Sequence, residues 1–392
     1  MTPRQRTLSA FQHREPDRTP MFEKLIKSPV ADELLGRPCA ATNFHYRNER
    51  LAEGDWEGLE KQSARDLADL AQSLGFDVIR LYMNGLPPVP QDRPRRLDEN
   101  TWQAGGTVSE MLPTGWVRSR PAEPQPPVSE EEQEAAWLRD LLAYDMEGQT
   151  GRLSSAAGSG LDDRHFLMIR EARRLMAEEG LDLAIFSEVY ATGVATLPPF
   201  VLRWFVTDPD LVHRYYARHH ESALPRIRRL VAEGADIIAL GGDLACDLGP
   251  MISPRHYREF IMPVMREQAR LVRSLGAFST NATDGDIWSI LDDFLLGAEV
   301  DGYEEIDFAA GMDMARLKAQ YGERCTFVGN IDIRHKLTSG TVAEVQQHTR
   351  ECIEAGWGNG GHVLMSSNCI HEDCKTELFL AHLQAYRDYF GV

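Results

Sequence analysis

The stretch AFSTNATDGDIWSILDDFLLGAEVDGYEEID, residues 277–307, sets two short strand-like runs, AFSTNAT (277–283) and GYEEID (302–307), on either side of a segment with helical period, DIWSILDDFLLGAE. Strands joined across such a distance by a helix run parallel, because an antiparallel neighbour needs only a short turn. Working outward, similar runs recur. Downstream lie TFVGNID (326–332) and HVLMSSN (362–368); upstream lie DIIALGG (236–242), LAIFSEV (183–189), DVIRLY (77–82) and TPMFE (19–23). From LAIFSEV onward the connections read as amphipathic helices, as in PRHYREFIMPVMREQARLVRSLG. Eight strands alternating with helices predict an α/β fold of the (β/α)8 TIM-barrel type. An open doubly wound sheet would call for a glycine-rich dinucleotide turn after its first strand, and none is present.

The connection at 84–127 breaks the pattern. It is rich in proline and contains RRLDENTWQAGGTVSEMLPTGWVRSR, whose AGG and PTG turns separate strand-like runs. This predicts a β-meander inserted over one end of a single domain spanning 1–392. A helix then restarts in SEEEQEAAWLRDLLAYD, with Ser129 as its cap and Glu132 three residues on.

The chain of 392 residues is 43% hydrophobic and carries a formal charge of −18, which suits a globular protein and disfavours nucleic acid or an anionic membrane as partner. The N-terminus is polar and no apolar run is long enough to span a membrane, so a cytoplasmic location is expected. Six scattered cysteines do not read as a disulfide framework.

In a barrel the chemistry gathers at the carboxyl ends of the strands. Six predicted strands end in polar groups: Ser187-Glu188, Gly242-Asp243, Asn281 through Asp284, Glu304-Glu305 with Asp307, Asn330 with Asp332, and Ser366 through Cys369. Each also has a plain reading as a turn former or helix cap; Asp332 would cap a helix or pair with Arg334, and Asp182 and Tyr190 read as structural. In MSSNCIHEDC (365–374) the spacing C-x4-C is not that of a zinc knuckle.

The stretches TPRQRTLSAFQHREPDRTP (2–20), GGDLACDLGPMISPRHYREFIMP (241–263), the block 282–332 and GGHVLMSSNCIH (360–371) together resemble the uroporphyrinogen decarboxylase superfamily. That superfamily, built of (β/α)8 barrels and often dimeric, holds porphyrinogen decarboxylases and zinc-dependent methyltransferases that serve corrinoid proteins or thiols. True decarboxylases carry an arginine-rich segment after the first strand and an Asp after the second. Here the matching stretches are MFEKLIKSPVADELLG, with lysines only, and LYMNGLP, with Asn84. The methyltransferase branch reads H-x-C-G at strand five and adds a Cys at strand eight. On that pattern Ala282 replaces the His, Asp284 replaces the first Cys, and Cys369 matches the second.

The resemblance therefore implies a homodimeric methyltransferase or demethylase acting on a small methylated substrate, with a thiol or a corrinoid on a separate protein as acceptor. Asp284 and Cys369 would hold zinc with Glu305, His371 or Cys374 as third donor. Asp243, Asp284 and Glu305 would be catalytic, and Glu188, Asn281, Asn330 and His371 would bind substrate; Asp247 shares the loop of Asp243. The alternatives are a decarboxylase or lyase of a less acidic substrate, and a catalytically quiet ligand-binding barrel.

Overall fold

The computed structural model describes residues 1–123, 126–146 and 161–392. Among these the strands, in chain order, are β1 (Val78–Arg80), β2 (Arg95–Arg96), β3 (Thr101–Ala104), β4 (Thr107–Met111), β5 (Val117–Pro121), β6 (Ala184–Glu188), β7 (Ile237–Gly241), β8 (Ala245–Cys246), β9 (Gly249–Pro250), β10 (Phe278–Ala282), β11 (Gly302–Glu304), β12 (Thr326–Val328) and β13 (His362–Val363). The principal sheet is curled and parallel throughout, in the order β1-β6-β7-β10-β11-β12-β13. Helices cover it, so a central strand such as β7, Ile-Ile-Ala-Leu-Gly, is buried along its whole length. Neighbours follow chain order because each helical return delivers the next strand beside the last.

Among the described residues seven strands make up this sheet, joined by six ladders, where eight strands were expected. The 19–23 segment makes only an isolated parallel bridge, Met21 to Leu364. Its backbone nonetheless touches both edges of the sheet. The Pro20 carbonyl accepts from the Leu364 amide at 2.8 Å, and the Met21 carbonyl accepts from the Asp77 amide at 2.8 Å. Pro20 has no N–H to donate, which interrupts a regular ladder at this point. The fully buried Asp77 carboxylate accepts from the Met21 amide at 2.9 Å and from the guanidinium groups of Arg6 and Arg18. These bonds fix the segment against β1.

Between β1 and β6, strands β2 to β5 form a separate antiparallel sheet in simple meander order. Its Trp116 donates to Asp373 at 3.1 Å and packs on the His371 ring, so the meander leans on the loop after β13. Pro124 and Gln125, at the end of the 84–127 stretch, lie outside the described residues. In the following helix the Ser129 hydroxyl accepts from the Glu132 amide, and Glu132 accepts in return from the Ser129 amide. Among the described residues no helix is long and apolar enough to cross a membrane.

The segment 286–299, expected as one amphipathic helix, is instead a 3-10 turn (Trp288–Ile290) followed by a π-turn (Asp293–Gly297). The Phe294 carbonyl within the π-turn accepts from the Asn281 amide at 3.1 Å. That contact fixes the orientation of the Asn281 side chain.

Candidate active site

The parallel register sets the rim. Ala282 pairs with Gly241 on one side and with Glu304 on the other, so these three residues lie level, and the residues just after them share one height. A cavity of about 460 Å³ opens there, and its lining includes Asp243, Asp284, Glu305 and Cys369. Four residues singled out from the sequence are thus brought together. The remaining lining comes chiefly from Lys24, Arg80, the 190–193 loop, Tyr215, His219 and Asn368.

Lys24 organises the acidic side. It is 5% exposed, and its ammonium donates to Glu305 at 2.7 Å and stands 3.8 Å from Glu304. Successive residues of a strand normally face opposite sides of the sheet. Here Glu305 has φ of 63°, which breaks the alternation and lets both glutamates face one lysine. Glu304 is wholly buried, and among the described residues neither carboxyl oxygen has a hydrogen-bond partner. Burial, aided by the charge of Glu305 and opposed by Lys24, pushes its pKa up to about 8.

Asp284 accepts from the Asn368 side-chain amide at 2.9 Å. Burial, then the charges of Glu305, Asp243 and Asp307, push its pKa up to about 8. It is therefore largely a neutral acid at neutral pH, able to give a proton. The Cys369 thiol is raised to about 11, chiefly by burial, and so is not a thiolate at neutral pH.

On the side of β1 and β6, Arg80 grips Glu188, with Nε donating at 3.0 Å and Nη2 at 2.6 Å. Glu188 is thus engaged by an arginine beside the cavity. The Thr192 hydroxyl, buried in the cavity wall, has no hydrogen-bond partner among the described residues. The Asp243 carbonyl accepts from the amides of Val194 and Ala195 at 2.7 and 2.8 Å, which ties the 190–196 loop over the cavity. That wall requires close backbone approach. Gly242 has φ of 134°, and a Cβ there would meet the Gly193 backbone at 2.9 Å. Gly242→Ala is expected to cost about 1–3 kcal/mol, seen as a lowered thermal unfolding midpoint, because backbone rather than a flexible side chain must move.

Other expected site residues are placed elsewhere. Asn281 points into the helical layer, donating to the Phe294 carbonyl and to the Tyr257 hydroxyl at 3.3 Å. Asn330 is buried and donates to the Met312 carbonyl at 3.1 Å. The His371 ring packs on Trp116 and accepts from the Asp373 amide at 3.2 Å. Asp332 caps the turn at Ile333–Leu337, whereas Arg334 pairs with Asp247 and Asp307. Asn84 fastens a loop by donating to the Arg164 carbonyl. Tyr190, read as structural, instead lines the cavity, with the Lys24 ammonium 5.0 Å from its ring centroid. Asp182 accepts from the Thr2 hydroxyl at 2.6 Å.

Among the described residues no three His, Cys, Asp or Glu side chains are arranged to hold a metal ion. Asp284 and Cys369 both reach the cavity, but residue 282 offers only a methyl group, His371 is turned to Trp116, and Glu305 is engaged by Lys24. This donor set does not fit a three-ligand zinc site.

Residues 185–389 match the sequence profile of the family described as uroporphyrinogen decarboxylase (URO-D). Three curated relatives give the range of the likeness. A methylcobamide:CoM methyltransferase of Methanosarcina barkeri is 24% identical over 40% of this chain and 43% of its own. A methylated-thiol–coenzyme M methyltransferase of Methanosarcina mazei is 25% identical over 39% of each chain. A uroporphyrinogen decarboxylase of Psychromonas ingrahamii is 27% identical over 43% of this chain and 46% of its own. The chain thus spans less than half the length of the curated relatives it matches. Among solved structures, a methyltransferase from Methanosarcina mazei superposes over 100% of both chains with a TM-score of 0.63 at 18% identity, a likeness of fold.

Proposed function

Since the chain belongs to the uroporphyrinogen decarboxylase (URO-D) family, we propose that it removes a methyl group from a small methylated substrate, with the Asp284 carboxyl as proton donor. One observation carries the reading: a buried carboxyl in the cavity wall whose pKa is raised to about 8 and which one amide orients. As the acceptor takes the methyl carbon, the carbon–heteroatom bond breaks and its electron pair stays on the oxygen, nitrogen or sulfur. The Asp284 proton neutralises that atom, and Asp284 regains a proton from solvent. Asn368 holds one carboxyl oxygen, which leaves the other to carry the proton.

The acceptor is a thiol or a corrinoid carried by a separate protein, in keeping with the names of two of the relatives. Asp243 and Glu305 orient the substrate. The carboxylates of Asp243 and Glu305 in this wall disfavour a polycarboxylate at the reacting end, which supports methyl transfer over porphyrinogen decarboxylation. Architecturally, the reading takes the 19–23 segment as the strand that closes a (β/α)8 barrel; its hydrogen bonds to Leu364 on one edge and Asp77 on the other support this.

The test incubates the purified protein with O-, N- and S-methylated compounds and either reduced cobalamin or a thiol, following the methylated product by absorbance and mass spectrometry. Methyl loss from one compound class is expected. Carbon dioxide release from a carboxylated analogue, or no methyl loss from any compound, would overturn the proposal.

A further inference from the structure

Each basic side chain in the cavity wall is already engaged or neutral. The Lys24 ammonium donates to Glu305 at 2.7 Å. Arg80 gives Nε and Nη2 to the Glu188 carboxylate and directs Nη1 to the Lys24 carbonyl at 3.4 Å, so its whole fork is used. Burial above all depresses His219 to about 4, which leaves its imidazole neutral. Among the described residues of the wall, no cation is left for an anionic group.

The acids of the wall are not equivalent. Glu305 is matched by Lys24, and Asp284 is largely a neutral acid at neutral pH. Asp243 lines the same cavity, and among the described residues no hydrogen bond or ion pair engages its carboxylate. Register sets these two carboxyls side by side. Gly241 and Ala282 are paired across β7 and β10, and Asp243 and Asp284 each follow two residues later. Neighbouring strands run about 4.8 Å apart, so a ligand oxygen at Asp284 brings a second oxygen, one or two carbons away, to Asp243. A carboxylate only accepts, and it takes hydroxyl protons from a ligand that carries no charge.

The leaving atom narrows the class. A quaternary ammonium or a sulfonium that gives up its methyl group departs as a neutral amine or thioether and needs no proton. An ether departs as an alkoxide, a strong base, unless an acid protonates it as the bond breaks. A proton donor at Asp284 is therefore matched to an O-methyl group.

We propose that the substrate is a neutral methyl ether of a polyol, its ether oxygen at Asp284 and a hydroxyl one or two carbons away donating to Asp243. The methyl carbon goes to the electron pair of the acceptor, the carbon–oxygen pair stays on oxygen, and that oxygen takes the Asp284 proton and leaves as an alcohol. The rings of Tyr190 and Tyr215, which also line the cavity, give apolar area to the carbon skeleton. The choice of an ether rests on the methyl-transfer reading. The polyol subsite rests on the placement of Asp243 and is tested without turnover.

The test titrates methyl-free probes into the full chain by calorimetry: myo-inositol against cyclohexanol and erythritol against butanol, with tetramethylammonium as the cationic rival. In at least one pair the polyol is expected to bind about 10–100-fold more tightly, as hydrogen bonds to a charged acceptor provide. Asp243→Ala should erase that preference and leave the affinity for the mono-alcohol unchanged, whereas Asp243→Asn should keep part of it. Unchanged thermal midpoints in both variants separate lost recognition from lost fold. Equal affinity within both pairs, binding of no polyol, a preference that survives Asp243→Ala, or tighter binding of tetramethylammonium than of either polyol would overturn the proposal. If polyols bind by this rule and no O-methyl polyol loses its methyl group, the subsite stands and the methyl-transfer reading fails; if methyl ethers are turned over with no preference for hydroxylated ones, the reading stands and the subsite fails.

Discussion

Asp284→Asn is expected to lower kcat by about 10²–10⁴-fold while leaving substrate affinity within a few-fold, the range typical for loss of a general acid. The substitution keeps the shape of the side chain and an oxygen for the Asn368 amide, and it removes only the proton. The pH profile gives a second readout. The active form is the protonated acid, whose pKa is raised to about 8, so kcat should hold through neutral pH and fall as pH climbs past that value. In Asp284→Asn the alkaline fall should vanish, because the residual rate no longer depends on that proton. Measuring kcat and kcat/KM from about pH 6 to about pH 9.5 tests both points. An alkaline limb that survives intact in the variant would place the donor elsewhere, and a rise in KM alone would make Asp284 a binding group.

The parallel α/β plan and the acidic side of the site were legible because strand ends are punctuated by turn-forming polar residues, and reading those ends found Asp243, Asp284, Glu305 and Cys369. The basic residues of the site were missed for two different reasons. Lys24 immediately follows the first predicted strand, but the carboxylates that give it its role, Glu304 and Glu305, lie far along the chain and meet it only in the fold. Arg80 falls inside the predicted strand at 77–82 and ends β1, where a charge among apolar neighbours already signals a buried pair, here with Glu188. Asn281 failed for a geometric reason. The pleat sends residues 281 and 282 to opposite faces, and the sequence does not say which face is inner when the polar residue comes first. His219 was out of reach, because a helix face acquires its partner only when the sheet curls beneath it. The irregular pairing of the 19–23 segment was not legible, since Pro20 allows contact with both edges of the sheet without a ladder.

Lys24→Met is expected to be the most damaging single change for stability, lowering it by about 3–5 kcal/mol at mildly alkaline pH, because it leaves carboxylates buried without their cation. The methionine fills much the same volume, so the loss reports charge rather than a cavity. The sign of the pH dependence follows from the direction of the shifts. Glu304 and the neighbouring Glu23, a buried carboxyl that accepts from the Ser366 amide, are both raised to about 8 by burial. Each binds its proton more tightly in the folded protein than in the unfolded chain. Each therefore contributes stability that is complete below the ordinary carboxylate range and is lost as pH rises through about 8. The wild type should thus unfold at a lower temperature at about pH 9 than at about pH 6. Lys24→Met should steepen that slope, since without the ammonium Glu304 holds its proton harder still. Adding Glu305→Gln to Lys24→Met should restore part of the loss, because the amide removes the charge the lysine had balanced; equal midpoints for wild type and Lys24→Met at every pH would show that the ammonium does not hold this acidic wall together.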